Sequence, residues 1–364
     1  MRPGPYARLL AALAAAGGNP ASAHFRGQVA KGMLEESRAD IAAHIGRLPS
    51  EIVFTSGATE AMNTAIIGPR LPEESTILAN PTEHACALTA LKRRGTRIEW
   101  LALDGYGRVD ALAAARAIRA QGRRLGMLVV MAANNETGVV EPVSELAEAA
   151  RTANPNVVVV SDLAAYAPSR QVAGVARHAD LLAIAPHKLG GPAGIGVLVR
   201  RAGMPLDPLI TGGAQEYGVR AGTVPAALAV SAADAIVRAG ADGLPEEISR
   251  LRDRFEARVV SAIPGARLIG EGADRIGVSC LLFPGLRSED LLFLLDEAGV
   301  AASFGAACAS GAFEPSHVLL AMGFSKTAAL SSLRFSYGYG NTVSEIDSAA
   351  EALIAAVEKL GGVR

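Results

Sequence analysis

The stretch Asp180-Leu181-Leu182-Ala183-Ile184-Ala185-Pro186-His187-Lys188-Leu189-Gly190-Gly191-Pro192 decides the fold and organises the chain. Its apolar residues run into a proline, then a His-Lys pair in a turn of Gly and Pro, the pattern of a buried strand stopping at a sheet edge. A lysine so close to an apolar run either snorkels to water or stays at the mouth of the sheet, where desolvation lowers its pKa. The second case suits an amine that forms a Schiff base with a carbonyl cofactor; the first is a solvated loop residue.

Working outward, similar runs recur at Ile52 to Thr55, Thr76 to Ala79, Arg97 to Leu103, Leu125 to Ala132, Asn156 to Asp162 and Gly194 to Arg200. Runs that are apolar throughout, rather than alternating, belong to a sheet covered on both faces by helices. The pattern therefore predicts an α/β fold with a mostly parallel seven-stranded sheet, in which ligands gather at the carboxyl ends of the strands. Residues 19–240 read as a large cofactor-binding α/β domain. Residues 241–364 mix strands and helices and read as a smaller α+β domain carrying a cysteine loop. The amphipathic helix of residues 1–18, closed by Gly17-Gly18, is assigned to this smaller domain.

Bulk composition narrows the function. A chain of 364 residues, half of them hydrophobic, can bury a substantial core, and its net charge of -1 gives no field that would draw nucleic acid or an anionic membrane. Apolar runs such as Val157 to Val160 are too short to span a bilayer, and no signal-peptide pattern opens the chain, which points to the cytoplasm. Three widely spaced cysteines, Cys86, Cys280 and Cys308, argue against a disulfide framework or a zinc site, and no metal is expected.

Several strand ends carry chemistry. Thr55-Ser56-Gly57-Ala58-Thr59-Glu60 runs straight into a helical pattern, so it is either a phosphate-holding helix N-terminus or an ordinary capping box. Glu83-His84 follows the second strand, where an imidazole stacks on a flat ring or simply caps a helix. Asn134-Asn135-Glu136 follows the fourth. The fifth ends in Asp162 after four valines, where a carboxylate is costly without a cation such as a protonated pyridine nitrogen, unless it caps the next helix. Together, Asp162 and Lys188 could bracket a pyridoxal ring. Cys308, in a run of small residues, reads as an exposed nucleophile or a structural thiol, whereas Cys86 and Cys280 read as core. Arg334, between apolar residues of a strand, suits a two-pronged carboxylate clamp or a salt bridge.

Taken in order, these motifs, with Gly190-Gly191-Pro192, Arg220-Ala221-Gly222-Thr223 and Pro315-Ser316-His317-Val318-Leu319, resemble the cysteine desulfurases of the NifS and IscS kind. These are pyridoxal 5'-phosphate enzymes of the class V aminotransferase group, with the aspartate aminotransferase type of fold. The resemblance implies a homodimer in which Lys188 is the Schiff-base lysine, Asp162 partners the pyridine nitrogen and His84 stacks on the ring and moves protons. It further implies that Ala58, Thr59 and His187 hold the phosphate, that Thr223 reaches the phosphate of the neighbouring subunit, and that Asn135 and Arg334 hold the cofactor oxygen and the substrate carboxylate. Cys308 would take sulfur from L-cysteine, leaving L-alanine and a persulfide for an acceptor such as an iron-sulfur scaffold protein. Ala165 and Ala185 stand where the resembling proteins carry Gln and Ser or Thr; losing two hydrogen bonds there implies roughly 5- to 100-fold weaker cofactor retention. Another class V aminotransferase or lyase, or a non-catalytic relative, is the alternative.

Overall fold

The computed structural model describes residues 1–239, 244–304 and 314–362. Its chain divides into two compact units: Met1–Ala102, Val109–Ala132 and Glu141–Asp242 form the first, and Leu103–Arg108, Ala133–Val140 and Gly243–Arg364 the second.

In the first unit the strands are β1 (Ile52–Thr55), β2 (Thr76–Ala79), β3 (Arg97–Trp100), β4 (Leu125–Val129), β5 (Val158–Asp162), β6 (Leu181–Ile184) and β7 (Gly196–Arg200). They lie in the order β1-β7-β6-β5-β4-β2-β3. From β3 to β6 every pairing is parallel; β7 runs antiparallel to β6, and β1 antiparallel to β7. The expected seven-stranded, mostly parallel sheet is therefore present. Reversing twice, β1 again points the same way as β2 to β6, so the carboxyl ends of all six share one rim.

The all-apolar sequence of the central strands follows from their burial: β4, β5 and β6 are buried at every residue. Around the sheet stand α1 (Pro3–Ala15), α2 (Phe25–Ile45), α3 (Ala58–Ile67), α4 (Ala85–Arg94), α5 (Ala111–Gln121), α6 (Val143–Ala153), the short α7 (Ala173–Ala176) and α8 (Ala226–Ala239). One core cluster joins Met62, Ile66 and Leu91 of the helices to Ile77, Val129, Val160 and Leu198 of the strands. Each such side chain, fully buried, contributes about 1.5–3 kcal/mol.

The N-terminal helix corrects one expectation. Rather than joining the smaller domain, α1 packs on α8 within the first unit. The Ser231 hydroxyl donates to Pro5 O at 2.7 Å, and Arg2 N–H donates to Gly190 O at 2.8 Å. Ala12 of α1 is buried there. A second difference is that residues 103–108 and 133–140, expected in the large domain, belong to the second unit. There Val139 bridges Arg275, and Val140 N–H donates to Asp274 O at 2.9 Å.

The edge strand β1, buried at every residue, is fastened by charge. Arg38 of α2 donates to both oxygens of Glu216, at 3.0 and 2.8 Å, and also to Ile52 O; Glu216 accepts the Phe54 N–H at 2.6 Å. The guanidinium lies 5.1 Å from the ring centres of both Phe54 and Tyr217. Both side chains of the pair are only 3% exposed. Glu216 and Tyr217 have φ of 48° and 57°, left-handed values that cost a non-glycine residue about 1–2 kcal/mol each.

At the rim itself, Gly196 pairs with Thr55. A methyl group on Gly196 would overlap the Gly57 backbone, so only glycine lets β7 pass behind the turn that opens α3. Gly196→Ala is expected to push that turn aside and to cost about 1–3 kcal/mol, the usual range for overpacking, measured as a lowered urea midpoint.

The second unit contains α9 (Leu244–Ala262), β8 (Arg267–Leu268), β9 (Val278–Leu282), α10 (Ser288–Glu297), α11 (His317–Ala321), α12 (Lys326–Ala329), β10 (Ser332–Ser336) and α13 (Val343–Lys359). Its antiparallel sheet has the order β10-β9-β8, and α9, α10 and α13 bury Phe255, Leu291 and Leu353 in a core shared with Phe283 and Leu333. This is the expected α+β domain.

Candidate active site

The carboxyl rim of the first unit holds a cavity of about 640 Å³. Its lining includes Ser56 to Glu60 after β1, His84 and Cys86 after β2, Asp162 at the end of β5, and Ala185, His187 and Lys188 after β6. Asp162 and Lys188 thus face one chamber.

Each group is placed by its local sequence. The turn Ser56-Gly57 leads into α3, with Ala58 and Thr59 in its first turn, where backbone N–H groups have no partner within the helix. His84 is the N-cap of α4: its Nδ1 accepts the Cys86 N–H at 3.2 Å and lies 3.1 Å from Cys86 Sγ. Accepting at Nδ1 places the ring proton of a neutral imidazole on Nε2. Pro186 opens a single helical turn over Pro186–Leu189, with His187 and Lys188 exposed on it; Gly190, at φ 82°, ends it.

The electrostatics suit a cationic ring. Asp162 is buried and accepts the Ala164 N–H at 2.8 Å. Burial drives its carboxyl above the usual range, against the Ala164 N–H and the charges of Lys188 and His84, which pull it down. Glu83, also buried, accepts the Met131 N–H; burial and the nearby Asp162 push its carboxyl well above the carboxylate range. Burial lowers the His187 pKa, and Lys188 lowers it further.

Pyridoxal phosphate fits these residues. Free N–H donors at a helix N-terminus with Thr59 and His187 beside them suit a dianionic phosphate; a buried carboxylate held above its normal pKa suits a pyridinium; an amine opens onto the same space. Ala185 lines the cavity, so where the resembling proteins present a hydroxyl this chain presents a methyl; Ala165 does not line it.

Cys86 packs against the core, as its helical surroundings suggested, and it also lines the cavity, with a thiol pushed up to about 12 by burial and by the charges of Asp162 and Glu83. Cys280 is core as expected, its thiol also raised to about 12 by burial. Both are therefore protonated near neutrality. Cys308 lies outside the described residues. Thr223 is exposed, three residues beyond Arg220.

Asn135 and Arg334 belong to the second unit, where Arg334 Nη1 donates to Asn135 O at 3.3 Å. Asn134, beside them, builds the turn itself, its Oδ1 accepting the N–H groups of Glu136 and Thr137. The buried Glu136 carboxylate accepts the hydroxyl of Ser316, which also caps α11. No sequence signal linked Glu136 with Ser316.

No helix among the described residues is long and apolar enough to cross a membrane. Nor is any group of three or more His, Cys, Asp or Glu side chains among them placed to hold a metal ion.

The doubly covered sheet and the cavity at its carboxyl rim define a pyridoxal-phosphate-dependent enzyme of the aspartate aminotransferase type of fold. The chain belongs to the class-V aminotransferase family, whose model matches residues 7–348. It is similar to the cysteine desulfurase of Cereibacter sphaeroides, at 37% identity over 94% of this chain and 89% of that protein. It is likewise similar to the IscS-like cysteine desulfurase of Mycobacterium tuberculosis, at 34% identity over 94% and 90%. Among solved structures, a NifS-like protein superposes with a TM-score of 0.88 at 26% identity, covering 99% of this chain and 96% of that one.

Proposed function

We propose that the protein is a pyridoxal-phosphate-dependent cysteine desulfurase that converts L-cysteine to L-alanine and leaves the sulfur as a persulfide on Cys308. The observation that carries this reading is the single cavity lined by Lys188, Asp162, His84 and the first turn of α3.

When bound, pyridoxal phosphate supplies an electron sink conjugated to the substrate Cα. The backbone of Ala58, with Thr59 and His187, holds the phosphate, and Thr223 reaches the phosphate site of a second copy in a homodimer. The Asp162 carboxylate keeps the ring nitrogen protonated. Lys188 would hold the cofactor through its amine and would carry the proton of the substrate Cα. His84, at the N-cap of α4, would stack over the ring and help move protons. Asn135 holds the cofactor oxygen, and the Arg334 guanidinium takes the substrate carboxylate in two prongs. The Cys308 thiolate would attack the substrate sulfur: an S–S bond forms, the Cβ–S bond breaks with its electron pair left on the substrate, and protons returned to Cβ and then to Cα give alanine. The persulfide then passes to an acceptor protein, such as an iron-sulfur scaffold, in the cytoplasm.

Cys308 is the residue that separates this chemistry from transamination. In Cys308→Ala, sulfide release from cysteine in the presence of a thiol reductant is expected to fall to background while the visible absorbance of the bound cofactor stays. Sulfide release at the wild-type rate would overturn the assignment. Amino transfer to a keto acid in the same variant would mark the protein as an aminotransferase.

A further inference from the structure

Glu60 stands in the turn assigned to the phosphate, a place where a second negative charge works against an anionic ligand. One carboxylate oxygen accepts the Ser56 N–H at 2.7 Å; the other accepts from Arg220 Nε at 3.0 Å. The two side chains are 18% and 10% exposed for Arg220 and Glu60, so solvent screens the pair only weakly. Burial favours the neutral form of Glu60, but the bonds from Ser56 and Arg220 outweigh it, and the carboxyl titrates below its ordinary value. Glu60 is consequently charged at neutral pH, and it also occupies one N–H of the turn.

Arg220 lies 160 residues away in sequence and three residues before Thr223, so the same short segment carries a cation to the phosphate turn. We propose that Arg220 is a positioning residue that cancels the Glu60 charge at the phosphate turn and thereby sets the preference of the site for a phosphorylated cofactor. The inference rests on the assignment of the phosphate to Ala58 and Thr59. It makes Arg220 matter through Glu60 rather than by touching the ligand, which gives it a signature that a general loss of structure lacks.

The test compares pyridoxal 5'-phosphate with pyridoxal, which lacks the phosphate, by absorbance and fluorescence titration of the apo full-length protein. Arg220→Gln should weaken binding of the phosphate ester by about 10- to 100-fold, the worth of a charge-assisted contact, and change pyridoxal binding by less than about threefold. Adding Glu60→Gln should bring the phosphate ester back to within about threefold of wild type, since no charge then remains to cancel. Should Arg220→Gln fold poorly, Glu60→Gln alone carries the test: it should bind the phosphate ester at least as tightly as wild type.

The outcomes separate cleanly. If the wild-type protein shows no preference for the phosphate ester, the phosphate assignment fails and the inference falls with it. If wild type discriminates but Arg220→Gln keeps the same ratio, the role of Arg220 is wrong and the assignment stands. A double variant as weak as the single one, or a Glu60→Gln protein that binds more weakly than wild type, refutes the charge-cancelling role as well.

Discussion

Lys188→Ala is expected to lower cysteine turnover by about 100- to 10,000-fold, the range for removing a positioned proton-transfer group, and to abolish the cofactor bond that borohydride fixes. The expectation follows from the location of the amine. Pro186 ends β6, and the single turn after it projects Lys188 into the chamber lined by Asp162 at the end of the neighbouring strand. Its charge acts on Asp162, which burial otherwise drives toward its neutral form. Peptide mapping after borohydride treatment of the wild-type protein should find the pyridoxyl group on Lys188 alone. Added amines of small size should restore part of the lost rate in the variant, because the pocket that housed the side chain stays open. A label found on another lysine, or an alanine variant with unchanged rate, would sink the assignment.

Breaking the buried pair beneath β1 is expected to have the largest effect on stability. Glu216→Ala leaves the Arg38 guanidinium buried without its two carboxylate bonds, a change that costs about 3–5 kcal/mol. The Phe54 N–H loses its acceptor at the same time. Alanine would also keep the unfavourable left-handed backbone at this position without the contacts that offset it. A double-mutant cycle with Arg38→Met should show a coupling of about 0.5–3 kcal/mol in the first urea transition. Additive losses would mean that the two residues stabilise the rim separately.

The sequence made legible those features that one stretch of chain encodes alone. Asp162 and Lys188 could be picked out because an ionisable residue ending an apolar strand has few inexpensive fates, and the strand pattern itself told which edge they share. The sheet was visible for the same reason: residues buried on both faces leave no polar alternation to read. What stayed hidden was pairing across distance. Arg38 with Glu216, Glu60 with Arg220 and Glu136 with Ser316 are separated by 178, 160 and 180 residues, and nothing local at either end marks the partner. That Cys86 also lines the cavity stayed hidden, because a helical run tells only that a residue has a face, not what that face meets. The same limit explains α1. Its amphipathic spacing announced a buried stripe, and only the fold showed that α8 receives it.

The bond from Arg2 N–H to Gly190 O gives the chain's first residues an unexpected standing. Gly190 closes the turn that bears Lys188, so Arg2 braces the end of that turn from 188 positions away. Changes made at Arg2 would therefore be felt at the turn where the chemistry happens.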